Sequence, residues 1–237
     1  MNIWRIIMIS LWLLSVSGVM QAQSYERLWQ RVEQLEKDDL PKSVVEAAQD
    51  IYQKAEKEKN VPQMMKAFLT MTVYREAIST DSLQVDIRKL EDWASSPETS
   101  KQDRAVLSSI LAEMIIRTDF KKGDSYLKNS MKDSLLLIKY DAGKLVPLVK
   151  IGETSRRYFN DNLYELLARR AIQLWQQNRW QTTQDEINAT INQTYQSLLS
   201  LYQENGNRSA WLLTALDAFP EASDVQLKGW IKDYVRL

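Results

Sequence analysis

Apolar residues recur at three- and four-residue spacing from Ser24 almost to the last residue, which is the period of an amphipathic helix. The chain contains only 6 glycines and 5 prolines in 237 residues, and this scarcity disfavours turn-rich β-sandwiches and barrels. Hydrophobic residues make up 44% of the sequence, enough to build a packed core. The sequence therefore predicts an all-α protein.

Five helices are predicted between Ser24 and about residue 120. Pro41 and Pro62 are placed to open the second and third helices, where a missing N–H costs nothing. Ser79-Thr80-Asp81 forms an N-cap cluster for the fourth. The predicted buried stripes are Tyr25, Leu28, Trp29, Val32, Leu35; Val44, Val45, Ala48, Ile51, Tyr52, Ala55; Met64, Met65, Phe68, Met71, Thr72, Ile78; Leu83, Ile87, Leu90, Ala94; and Val106, Leu107, Ile110, Leu111, Met114, Ile115.

Pairing the second helix with the third, and the fourth with the fifth, gives hairpins close to the tetratricopeptide length of about 34 residues. Tyr52 and Ala55 match that consensus only in part, because the Leu-Gly pair before the tyrosine is missing. Residues 23–120 are therefore predicted to form antiparallel helical hairpins, in either a tetratricopeptide-like solenoid or an irregular helical bundle.

The second half of the chain divides into two predicted regions. Lys121-Lys122-Gly123 is predicted to end a helix, and 121–160 to be an irregular connection with one helix over 126–139. Residues 161–237 are predicted to form a second helical region. Its longest helix follows Thr182-Thr183 and is closed by Asn205-Gly206.

Residues 1–22 have the pattern of a signal peptide. Met1–Arg5 carries one positive charge, and Ile6–Met20 is apolar but shorter than the roughly 20 residues of a transmembrane helix. Ala22 is a small residue suited to cleavage between Ala22 and Gln23. An uncleaved N-terminal anchor is the alternative. The leader pattern predicts a periplasmic or secreted location, with no membrane span after leader removal. Because the chain has no cysteine, no lipid attachment is predicted.

Charge and composition exclude several classes of function. Lysine plus arginine equals aspartate plus glutamate at 31 each, so no electrostatic footprint for nucleic acid is expected. Without cysteine or histidine, the usual zinc sites and imidazole-based triads cannot form. Ser125 and Lys128 match the S-x-x-K motif by chance, since K-T-G and S-D-N are both missing. No catalytic residue, metal ligand or cofactor is predicted.

The tryptophans of the mature chain lie near helix ends or on buried stripes. They are predicted to be packing anchors between helices rather than a ligand cage. These residues are Trp29, Trp93, Trp175, Trp180, Trp211 and Trp230.

Specific strings between Ser24 and Leu69 resemble the N-terminal helical region of bacterial alpha-2-macroglobulin-like proteins. The matching residues are Tyr25, Leu28, Trp29, Asp39-Leu40-Pro41-Lys42, Ile51-Tyr52 and Asn60-Val61-Pro62-Gln63. Asn162-Leu163-Tyr164-Glu165 is similar to a later helix of that family, although Asn162 and Glu165 depart from its usual residues. The resemblance implies a truncated or fragmentary N-terminal module. The family's thioester chemistry does not carry over, because that motif needs a cysteine.

Together these observations predict an exported, non-enzymatic helical scaffold that contacts protein. The resemblance implies that its partner is either the downstream domains of a longer relative or a cell-envelope protein. One alternative is an independent periplasmic module that binds peptide or glycan. Another is a hydrolase that uses only carboxylates, for which spacing nominates no pair of residues.

Overall fold

The computed structural model describes residues 24–79, 81–150 and 152–235; the predicted cleavage site at Ala22 and Gln23 lies outside them. These described residues form a bundle-like array of helices without a β-strand, which confirms the all-α prediction. The helices are α1 (24–37), α2 (Pro41–Lys57), α3 (Val61–Ile78), α4 (Ser82–Ser95), α5 (Lys101–Ile115), α6 (Phe120–Ser130), α7 (Ser134–Leu137), α8 (Glu153–Tyr158), α9 (Leu163–Asn178), α10 (Gln184–Glu204), α11 (Arg208–Ala218) and α12 (Asp224–Val235), with short 3-10 helices at Ala142–Leu145 and Arg179–Gln181.

The chain forms two compact units, which divide within α4 between Asp86 and Ile87. In the first unit α2 packs along α3, and α1 adds its buried stripe to their core. Proline opens both α2 and α3, as predicted. Burial is also as predicted for most of the stripe residues, but Ile78 is 46% exposed because it is the last residue of α3. The core of this unit contains Tyr25, Trp29, Val32, Val44, Ala47, Ile51, Ala55 and Ala67.

In the second unit α5 packs along α6. The side chain of Arg104 on α5 also donates a 2.8 Å hydrogen bond to the Ala94 carbonyl of α4, and the predicted pairing of α4 with α5 stays a prediction. Gly123 makes the close packing of α5 and α6 possible, because a Cβ there would lie 2.6 Å from the Ile116 Cα. The prediction that a helix ends at Gly123 is therefore wrong: the residue lies inside α6. The helix predicted over 126–139 is also interrupted, at residues 131–133.

Helix α9 is the centre of the second unit, with contacts to α5, α6, α7 and α10. Trp175 is completely buried, and its indole Nε1 donates a 3.0 Å hydrogen bond to Asp124 Oδ1 on α6. Beyond α9 the helices form successive layers: α10 packs on α9, α11 on α10 and α12 on α11. The solenoid form of the predicted repeat stays a prediction.

Candidate functional site

A concave surface of the second unit lies where α10, α11 and α12 meet. Helix α10 ends at Asn205 and Gly206, and Gly206 has a φ of +67°, a conformation that glycine adopts without steric cost. Asn207 then caps α11, since its side-chain oxygen accepts a 3.1 Å hydrogen bond from the backbone N–H of Ala210. This tight connection brings the first turn of α11 beside the last turn of α10.

The resulting pocket, which we call the C-terminal groove, has a volume of about 400 Å³. This volume falls within the range typical of small-molecule and side-chain binding sites. Trp211 and Trp230 meet edge to face, with ring centroids 5.9 Å apart and an interplanar angle of 85°. The groove is lined by Tyr202, Gln203, Gly206, Arg208, Trp211, Leu212, Trp230 and Asp233.

Exposed apolar side chains continue the lining of the C-terminal groove along α11. Leu212, Leu216 and Phe219 recur at four- and three-residue spacing, so they share one face of the helix. Leu216 is 42% exposed and Phe219 is 41% exposed, and the Phe219 ring lies 6.1 Å from that of Trp230. The groove is thus part of a larger apolar surface.

Two opposite charges line the same groove. Arg208 is the first residue of α11, and Asp233 lies in the last turn of α12. Neither side chain makes an ion pair with any other residue that the structure describes. Each charge is also at the unfavourable end of its helix, because the helix dipole favours acidic residues at the N-terminus and basic residues at the C-terminus.

A buried polar network holds the floor of the groove in place. The Tyr202 hydroxyl donates a 2.6 Å hydrogen bond to Glu165 Oε1 and accepts a 3.2 Å bond from Arg169 Nη2. The same Nη2 donates to Thr214 Oγ1 at 2.7 Å. The network therefore connects α9, α10 and α11, which are the three helices beneath the aromatic lining.

Glu165 is only 2% exposed, and burial raises the pKa of its carboxyl, opposed by the Tyr202 hydrogen bond and by Arg169. Burial also raises the pKa of Tyr202. Glu165 Oε2 accepts a 3.0 Å bond from the backbone N–H of Asn160, so both oxygens have partners within the chain. Arg169 Nε lies 3.8 Å from Glu165 Oε1, which is an ion-pair separation but too long for a hydrogen bond.

A small cavity of about 130 Å³ adjoins Glu165 and Arg169. Asp161, Asn162 and Lys150 also line it, so positive and negative groups are balanced. Because Glu165 is engaged by Tyr202 and Asn160, its carboxylate has a clear structural role. Among the residues with assigned positions, no group of three or more acidic, cysteine or histidine side chains is arranged to hold a metal ion.

The tryptophans predicted to be packing anchors differ in how deeply the structure buries them. Trp29 and Trp175 are buried, with 7% and 0% of their surfaces exposed, as predicted. Trp180 is 73% exposed, because it lies in the 3-10 turn beyond the end of α9 and off its buried stripe. Trp211 and Trp230 pack on each other and also line the groove. Ser125, of the S-x-x-K match, is exposed, and Lys128 pairs with Asp124 at 2.7 Å.

No protein-family model, curated protein or solved structure matches this chain. The resemblance to alpha-2-macroglobulin-like proteins therefore stays a prediction from the residues that carry it. In the part of the chain with described coordinates, none of the helices combines the length and apolar character needed to cross a membrane.

Proposed function

We propose that the protein is an exported, non-enzymatic helical module whose function is to bind another protein. The observation that carries this proposal is the C-terminal groove, in which an aromatic pocket continues into exposed apolar residues on α11. Contiguous exposed apolar surface is typical of protein interaction sites, and tryptophan, tyrosine and arginine are enriched at their energetic centres. The leader pattern of residues 1–22 supports export.

The resemblance suggests two sources for such a partner. In a longer relative, the surface would contact macroglobulin domains of the same polypeptide. In an independent protein, it would contact a component of the cell envelope. Both sources fit a module that presents a preformed helical surface.

A second candidate function is binding of a peptide or glycan as a free ligand. The size of the groove and its mixture of aromatic rings with Gln203, Arg208 and Asp233 favour this candidate. A free ligand would stabilise the folded protein by an amount that grows with the logarithm of the ligand concentration, so the melting temperature of the protein would rise with added ligand. The exposed Leu216 and Phe219 favour the protein partner, because a small ligand in the pocket would leave them uncovered.

Dye binding tests whether the surface is accessible. The protein is expressed with its own leader, purified from the periplasm and mixed with an apolar dye. N-terminal sequencing should give Gln23 if the leader is removed as predicted. We expect dye fluorescence to increase with the wild type and with Leu135→Glu, since Leu135 is 80% exposed outside the groove. Phe219→Glu should lose most of that increase, because the Phe219 ring is exposed beside Trp230.

Position-specific crosslinking tests whether the surface meets protein in the cell. A photo-crosslinking residue at position 219 should give a protein adduct, whereas the same residue at position 135 should not. If the wild type binds no dye and position 219 gives no adduct, the proposed function is wrong. A melting temperature that rises with defined peptides or oligosaccharides, without any adduct, would favour the second candidate.

A further inference from the structure

We infer that the C-terminal groove is the interface of a twofold homodimer, in which a second copy of this chain covers the aromatic surface. This inference rests on the proposed function and names the partner of that same site. It follows from the presence of Arg208 and Asp233 in the same groove as the tryptophan pair.

When two copies of the groove face each other across a twofold axis, opposite charges can meet. In an isologous interface, a residue that contacts a second residue of the partner is contacted in return by the partner's copy of the first. Arg208 of one copy would face Asp233 of the other, and Asp233 of the first would face Arg208 of the second. One patch with one positive and one negative charge therefore supplies two intermolecular ion pairs.

The position of each charge within its own helix supports an intermolecular role. Arg208 at the start of α11 and Asp233 at the end of α12 both oppose the local helix dipole. Neither is compensated by an ion pair with the residues that the structure describes. A partner copy would provide the missing opposite charge at both positions.

The apolar surface and the overall charge also favour self-association. Leu216 and Phe219 continue the groove beside the tryptophan pair, and each is at least 41% exposed in the single chain. A second copy would cover both of them together with the groove. Net charge at pH 7 is zero, so no long-range repulsion keeps two copies apart.

Sedimentation velocity of the periplasmic protein, over concentrations from about 1 to about 500 µM, tests the inference. We expect a reversible dimer. Trp230→Ala should remove it, whereas Trp180→Ala should not, because Trp180 is exposed outside the groove. A wild-type protein that stays monomeric over this range overturns the inference. If the same protein still binds dye and position 219 crosslinks to a different protein, the proposed function stands without it.

Charge exchange tests the proposed pairing directly. Arg208→Asp and Asp233→Arg should each weaken the dimer by about tenfold or more, because each places like charges together at both contacts. The double variant restores both pairs and should return to within about threefold of the wild type. Each exchange also puts a charge at the favourable end of its helix, so misfolding is not expected to explain a loss of dimer. A double variant as weak as the single variants would overturn the pairing.

Discussion

Tyr202→Phe should destabilise the second unit by removing one hydroxyl without changing the shape of the core. Tyr202 is completely buried, and its hydroxyl donates at 2.6 Å to a carboxylate that is itself only 2% exposed. Hydrogen bonds to charged groups contribute about 1.5–3 kcal/mol each. The substitution also removes the hydrogen bond from Arg169 to the Tyr202 hydroxyl. The guanidinium keeps its bond to Thr214, so this second loss adds little. We expect a cost of about 2 kcal/mol.

Tyr126→Phe is the matched control for this prediction. Its hydroxyl also donates to a carboxylate, Glu91, at 2.8 Å, but the Glu91 side chain is 26% exposed and also binds Lys122. Water and Lys122 can compensate for the lost hydroxyl, so the expected cost is about 0.5–1 kcal/mol.

Urea unfolding at pH 7.5, followed by tryptophan fluorescence and by far-ultraviolet circular dichroism, measures both costs. With a urea slope of about 2 kcal/mol per molar, the Tyr202→Phe midpoint should fall by about 1 M. The Tyr126→Phe midpoint should fall by no more than half of the Tyr202→Phe shift. Equal shifts for the two variants would refute the reasoning, because burial of the acceptor would then make no difference.

Three further substitutions test other contacts. Gly123→Ala should cost about 1–3 kcal/mol in urea unfolding, because the new Cβ would overlap the backbone of Ile116; an unchanged midpoint would contradict this close approach. Glu165→Gln should change the pH dependence of unfolding. Burial raises the folded-state pKa of Glu165 above its ordinary 4.5, so the stability that this group contributes is present below pH 4.5 and is lost as pH rises through the raised value. Wild-type stability should therefore fall relative to Glu165→Gln as pH rises above 4.5, and parallel profiles would exclude this effect. Gln63→Ala should cost about 1–3 kcal/mol, because it leaves the buried indole N–H of Trp29 without its 2.7 Å acceptor; thermal unfolding that matches the wild type would exclude this role.

Local sequence signals were sufficient for most of the helices. Pro41 and Pro62 mark two helix starts, and Asn205-Gly206 marks the end of α10, because each of these residues restricts the backbone at its own position. Local reasoning failed where the deciding contact is made with a different helix end. Gly123 suggested a helix end, but its role is to let α6 approach Ile116, the residue that follows α5.

The candidate site was harder to predict than the helices. Its two central rings, Trp211 and Trp230, belong to different helices, and the stripe of each helix alone indicates burial rather than a groove. A local signal existed for the network beneath: Glu165 and Arg169 are four residues apart on a helix, which predicts an ion pair. Their connection to Tyr202 and Thr214 depends on how three helices pack.

The attachment of Tyr202 to Glu165 and Arg169 has a kinetic consequence for whatever binds the groove. Tyr202 is buried at the base of the groove and its hydroxyl is held by both residues, so this side chain has little rotational freedom left to lose when a partner arrives. A surface that is ordered in advance needs no slow rearrangement, so the rate of association should be set by diffusion and orientation, in the usual range of about 10⁵–10⁷ M⁻¹s⁻¹. Differences in affinity among variants of the groove should then appear mainly as differences in the lifetime of the complex.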